Sequence, residues 1–139
     1  MFEDRGQLAR TVAGAFRILD SWNLRGDEVR GILGFPFGAQ IAEWRHGTLE
    51  SLPNDVLVRL RHVIALYRAL KNTPVEPAVW LRLPIAQFGH QTPLDRMVSG
   101  DPADLLAIVT YVKTHQLTSS DAGGSGAPIV EPRGATKWR

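Results

Sequence analysis

The sequence predicts an all-α protein, on three observations. Apolar residues recur every three or four positions through several long stretches, which lays them along one face of a helix. No stretch alternates apolar and polar with period two, so strands are not expected. Prolines and glycines fall between the periodic stretches, at Gly34, Gly47, Pro53, Pro74, Pro84, Pro93, Gly100 and Pro102, where helices start or stop.

The first helix is expected over about Asp4 to Asp20, with Leu8, Val12, Ala15, Phe16 and Leu19 on one face and Asp4 as N-cap. A second is expected within Leu24–Gly34. Asp27 and Glu28 put negative charge at its start, and Gly34 ends it from the C′ position. After the turn Phe35-Pro36-Phe37-Gly38, a third runs over Ala39–His46, with Ile41 and Trp44 one turn apart and Gly47 as its stop.

The longest periodic stretch opens at Leu52-Pro53-Asn54, with Asn54 as cap, and runs to Lys71. Val56, Leu57, Leu60, Val63, Ile64, Tyr67 and Leu70 give it a wide apolar face. A break at Asn72–Pro77 precedes a short helix over Ala78–Leu83, ended by Pro84. Thr92-Pro93 starts a helix that stops at Gly100, with Thr92 as cap and proline at the first helical position. Asp101-Pro102 repeats that signal, and Leu105, Leu106, Ile108, Val109 and Val112 line the last face.

Composition then narrows the function classes. The chain has 139 residues and no cysteine, so it forms no disulfide and uses no thiolate ligand or nucleophile. Lys+Arg exceed Asp+Glu by only 16 to 14, and a monomer of net charge +2 lacks the footprint of a strong non-specific nucleic-acid binder. The start, Met1-Phe2-Glu3-Asp4-Arg5, leads into no secretory signal, and no apolar run approaches the length that spans a bilayer. A cytoplasmic setting without membrane contact is expected.

No reaction chemistry is legible. His46, His62, His90 and His115 show no metal-ligand spacing. Gly123-Gly124-Ser125-Gly126 follows no strand and opens no helix, so it is not a phosphate cradle. Nothing resembles a nucleophile elbow. The chain is expected to be no enzyme, with no catalytic residue, metal or cofactor.

Two short helices joined by a tight turn between Leu24 and Gly47, with Val29, Ile32, Leu33, Ile41 and Trp44 inward, give the pattern of a helix-turn-helix. In that motif the second helix enters the major groove with its exposed N-terminal side chains near base edges. Gly38, Gln40 and Arg45 are the candidate DNA contacts; of the polar side chains on that face, Gln40 and Arg45 suit bases or phosphates. The segment resembles Xre-type domains of phage-repressor kind. It departs from them in a turn one residue longer and in Phe37, which stands where such domains place a Ser or Thr cap.

The third region is more specific. Trp80-Leu81-x-Leu83-Pro84-x-x-x-Phe88-Gly89-x-x-Thr92-Pro93-Leu94, then Gly100 and an apolar helix, resembles the toxin-binding domain of the Xre/MbcA/ParS antitoxin family. With the preceding motif the resemblance covers roughly Thr11 to Gln116. It departs at Pro84-Ile85, where the family has Pro-Asn, and in lacking a closing glycine after Val112. The expected organisation is an Xre-like unit over 1–72, a helical toxin-binding unit over 73–116 and a C-terminal tail over 117–139.

The resemblance implies an antitoxin of a two-gene type II module whose partner is a RES-domain toxin that consumes NAD. It also implies repression of the module's own operator DNA, and assembly as a homodimer or as a hetero-oligomer with toxin. Trp80, Phe88 and Pro93 carry over as toxin-binding positions. The tail adds Arg133, Lys137, Trp138 and Arg139 beyond a Gly-Ser linker. A tether raises effective concentration, cations suit a pyrophosphate pocket, and tryptophan is a frequent anchor. The alternative is a free-standing Xre-type transcription regulator whose C-terminal helices dimerise or sense a ligand.

Overall fold

Helices follow the punctuation of the chain. The computed structural model describes residues 2–115. In chain order these form α1 (Phe2–Ser21), α2 (Gly26–Ile32), α3 (Gly38–Arg45), α4 (Asn54–Lys71), α5 (Pro77–Trp80), a 3-10 turn at Ala86–Phe88, α6 (Pro93–Met97) and α7 (Pro102–Thr114). The fold is all-α. Among the described residues the β pairing is one isolated bridge between Ile85 and Gln91, and no helix is long and apolar enough to cross a membrane.

The widest apolar stripe makes α4 the centre. Val56, Leu60, Val63, Leu66 and Leu70 are buried along it, and both α1 and α7 pack on it. α1 contributes Val12, Ala15, Phe16 and Leu19, and α7 contributes Leu105, Ile108, Val109 and Val112. Each Val, Leu, Ile or Phe among them gains about 1.5–3 kcal/mol from full burial. α3 packs against α1, α2 against α6, and α6 against α7. One continuous apolar core runs from Val12 to Val112, crossing residue 72 without a break.

Five local expectations are corrected. α1 begins at Phe2, so Asp4 lies inside the helix rather than capping it. Asn54 is the first residue of α4; Pro53 occupies the N-cap position, its ring holding φ at −69° beside an extended ψ of 150°. The helix around Ala78–Leu83 shortens to Pro77–Trp80, and the one after Thr92 ends at Met97. Leu106 is 49% exposed. The α7 core face runs through Leu105, Ile108, Val109 and Val112 at helical spacing, and Leu106 is turned about 100° off it.

Candidate functional site

Hydrogen bonds at both ends fix the α2–turn–α3 segment. Glu28 accepts from the Arg25 backbone N–H at 2.7 Å, closing the start of α2. At its end the Phe35 N–H donates to Arg30 O at 2.8 Å and the Gly34 N–H to Gly31 O at 3.2 Å, the paired bonds of a Schellman cap. Gly34 takes φ +87° there, as expected of a C′ glycine. Arg30 Nε donates to Pro36 O at 2.7 Å, which braces the turn. α3 then starts from Phe37, whose side chain has no acceptor; instead its backbone N–H donates to Gln40 Oε1 at 3.3 Å.

The three candidate DNA contacts therefore have different surroundings. Gly38 is exposed at the first position of α3. Gln40 is half-buried, with its amide oxygen engaged at the helix start. Arg45 lies seven residues beyond Gly38, about 10 Å along the axis. Its Nη1 donates to both carboxylate oxygens of Asp20, at 3.0 and 3.1 Å, and its guanidinium sits 4.7 Å over the Phe16 ring. The structure thus does not bring Arg45 together with Gly38 and Gln40. It ties α3 back to α1 instead.

The Trp80–Gly100 segment forms a closed local unit. Pro77 occupies the first turn of α5, and Trp80 at its end is fully buried. The Leu94 N–H donates to Leu81 O at 3.0 Å, joining the start of α6 to the end of α5. Ile85 and Gln91 close the intervening loop, whose corner is Gly89 at φ +66°. Thr92 Oγ1 accepts from the Asp95 N–H at 2.9 Å, while Asp95 Oδ2 accepts from the Thr92 N–H at 3.1 Å. This is a reciprocal capping box. Tyr111 on α7 lies against both aromatic residues of the unit, its ring 6.3 Å from Trp80 and 5.1 Å from Phe88.

Trp80, Phe88 and Pro93, the expected toxin-binding positions, are all buried. Trp80 and Phe88 lie inward against Tyr111 of α7. Arg133, Lys137, Trp138 and Arg139 lie outside the described residues.

Sequence reasoning missed what joins the two halves. Arg82, just past Trp80, places Nη1 and Nη2 each 3.0 Å from a Glu28 carboxylate oxygen, and Nη2 also donates to Asn23 O at 3.3 Å. The Arg82 guanidinium, helped by the Arg25 N–H, holds the Glu28 carboxyl below its ordinary pKa against the opposing effect of burial. Arg59 on α4 is buried, bonded to Asp55 at 2.8 Å and to Ile32 O at 3.4 Å, with its guanidinium against Gly34. Gly31 lets α2 press on the end of α6, since a Cβ there would stand 2.6 Å from Val98 O. Apart from Arg25 with Glu28 and Arg59 with Asp55, each about one turn apart, these pairs are remote in sequence, and no periodicity announces them.

No protein-family model matches the chain, and no solved structure matches it. The uncharacterized protein y4oB of Sinorhizobium fredii (strain NBRC 101917 / NGR234) is 30% identical to it over 112 residues, which span 78% of this chain and 86% of that protein. The chain belongs to the same family as y4oB.

Proposed function

We propose that the protein is an antitoxin that binds and neutralises a RES-domain, NAD-consuming toxin, and that its α2–turn–α3 segment acts as an Xre-like helix-turn-helix in repressing its own operon. One observation carries this reading. The residues that resemble the antitoxin pattern each do a distinct local job: Trp80 fills the core, Gly89 turns the loop, Thr92 and Pro93 start α6, and Leu94 is buried behind them. A pattern arising by chance has no reason to supply every piece of one closed unit.

In this reading the toxin docks on the exterior of the Trp80–Gly100 unit, and the tail cations with Trp138 reach toward the NAD pocket. Co-expression with RES-domain proteins encoded beside genes of this family tests it. Growth and cellular NAD are expected to stay normal with the protein present and to collapse without it. A toxin that stays fully active beside a folded, saturating excess of this protein refutes the antitoxin reading. Deleting residues 128–139 separates docking from inhibition, with the expectation of a complex that forms but still consumes NAD.

A further inference from the structure

The turn between α2 and α3 presents two large aromatic side chains to solvent, Phe35 at 54% and Phe37 at 74% exposure, on either side of Pro36. Neither is on a loose loop. Phe35 holds φ +65°, a left-handed conformation that an aromatic residue adopts rarely and at a cost. Its N–H is bonded to Arg30 O, and its ring edge lies on Gly100, where a Cβ would come within 2.8 Å of Cε2. With Phe35 pinned in this way, Phe37 projects from the start of α3 beside the small, exposed Gly38 and Ala39.

The electrostatics beside it favour one class of ligand. Residues 31–42 contain no carboxylate. The Arg30 side chain is exposed and held at the turn by its bond to Pro36 O. Meanwhile Gln40 Oε1 is occupied by the Phe37 N–H, and Arg45 is occupied by Asp20 and Phe16. The polar side chains expected to read bases thus already have partners within the chain, whereas an apolar ring, small neighbours and one braced cation are left outward. Duplex DNA matches that set: phosphates for the cation, and in the major groove the thymine C5-methyl, an apolar feature that aromatic and small side chains read.

We propose that Phe37 is a base-contacting residue that packs on a thymine methyl group in the major groove, with Arg30 on a flanking phosphate. This rests on the DNA-binding reading given above and moves its specificity from Gln40 and Arg45 to Phe37.

The experiment uses the full chain and duplexes selected by it from a random-sequence pool. Each thymine of the selected site is replaced in turn by deoxyuridine, which deletes the methyl group alone. At one position the wild type is expected to lose about fourfold in affinity, the worth of one buried methyl. Phe37→Ala is expected to bind about tenfold more weakly than wild type and to show no further loss with deoxyuridine there. Arg30→Ala is expected to lower the salt slope by about one unit, the signature of one phosphate contact. Phe37 is so exposed that its truncation leaves the melting temperature unchanged, which excludes unfolding as the cause.

A selected site bound equally well by Phe37→Ala, or a deoxyuridine effect of the same size in wild type and variant, overturns the proposal while DNA binding stands. Loss of self-association or of a toxin complex in Phe37→Ala, with DNA affinity unchanged, also overturns it and assigns the rings to a protein surface. If no sequence is selected, the DNA-binding reading and the proposal fall together.

Discussion

Replacing Gly31 with alanine sets two known effects of opposite sign against each other. In the middle of a solvated helix, glycine to alanine gains about 1 kcal/mol from helix propensity and a less flexible unfolded chain. At Gly31 the new Cβ would stand 2.6 Å from Val98 O, 2.9 Å from Val98 Cβ and 3.0 Å from Val98 Cα. Ordinary carbon contacts lie at about 3.5–4.0 Å, so α2 and the end of α6 must part by most of an ångström. α2 cannot rotate away freely. Glu28 is held by Arg82 on one side of Gly31, and Phe35 rests on Gly100 on the other.

Overpacking of this kind costs about 1–3 kcal/mol and more where backbone must move. The closest atom here is a backbone oxygen. We expect Gly31→Ala to destabilise the protein by about 1–2 kcal/mol net, lowering the melting temperature by roughly 4 °C per kcal/mol. Gly14→Ala is the internal control. On α1 the nearest atom to its Cβ is the end of the Arg17 side chain at 3.8 Å, so the same chemical change is expected to stabilise by up to about 1 kcal/mol. Urea unfolding of the three proteins, compared by midpoint at equal slope, measures both. Adding Val98→Ala to Gly31→Ala is expected to recover little, because it leaves the carbonyl in place. A Gly31→Ala protein as stable as wild type would refute the close approach of α2 to α6.

Gly34→Ala is expected to lose about 1–3 kcal/mol in the same assay, because φ is +87° and the Arg59 Cζ would lie 2.8 Å from the new Cβ. Trp80→Ala is expected to cost about 3–5 kcal/mol through a cavity as well as lost burial. Trp80→Phe is expected to cost far less, since the buried indole N–H has no hydrogen-bond partner to lose; equal melting losses for the two would contradict this. Stability is also expected to fall with acidification in two steps. Burial lowers the His62 pKa and Arg82 lowers that of Glu28, so both groups bind protons less readily folded than unfolded. The first loss starts below about pH 6.5 and the second below about pH 4.3, the ordinary values of the two groups. His62→Gln is expected to remove the first slope and Glu28→Gln the second, read from unfolding midpoints across pH.

How much was legible follows from the range of the signal. Apolar spacing over ten or more residues placed the α1, α4 and α7 faces, because a helix repeats its contacts within its own sequence. Caps at Thr92 and Asp101 were legible for the same reason: each accepts an N–H two or three residues on. Arg59 and Leu106 show where the local signal misleads. An arginine reads as a solvent position, yet Asp55 one turn before it and the Ile32 carbonyl satisfy it inside. A leucine reads as core, yet its angle on α7 turns it outward. Leu66 and Trp22, both buried, fall at positions the periodic readings passed over, although Trp22 continues the Leu19 face at i+3. The Trp80–Gly100 pattern disclosed local roles and not which side faces a partner. Trp80 and Phe88 pack against Tyr111 of α7, which only the folded chain brings beside them.

The joints found in the structure constrain how the two proposed activities can be separated. Four of them converge on α2 and the turn after it: Arg82 on Glu28, Val98 against Gly31, Arg59 against Gly34, and Gly100 under Phe35. Three of the four reach from the half proposed to bind toxin, or from the loop that ends it. The element that positions α3 is thus held mainly by residues remote in sequence, over the same core that buries Trp80. A substitution at any of these joints disturbs the placement of α3 and the shape of the 80–100 unit together, so loss of DNA binding and of toxin binding in such a variant identifies neither surface. Separation requires side chains that project outward and bear little on the core. Phe37 on the turn and Leu106 on α7 are such side chains, 74% and 49% exposed. Paired measurement on those two variants, with the melting temperature as the common reference, attributes a lost function to a surface rather than to the fold beneath it.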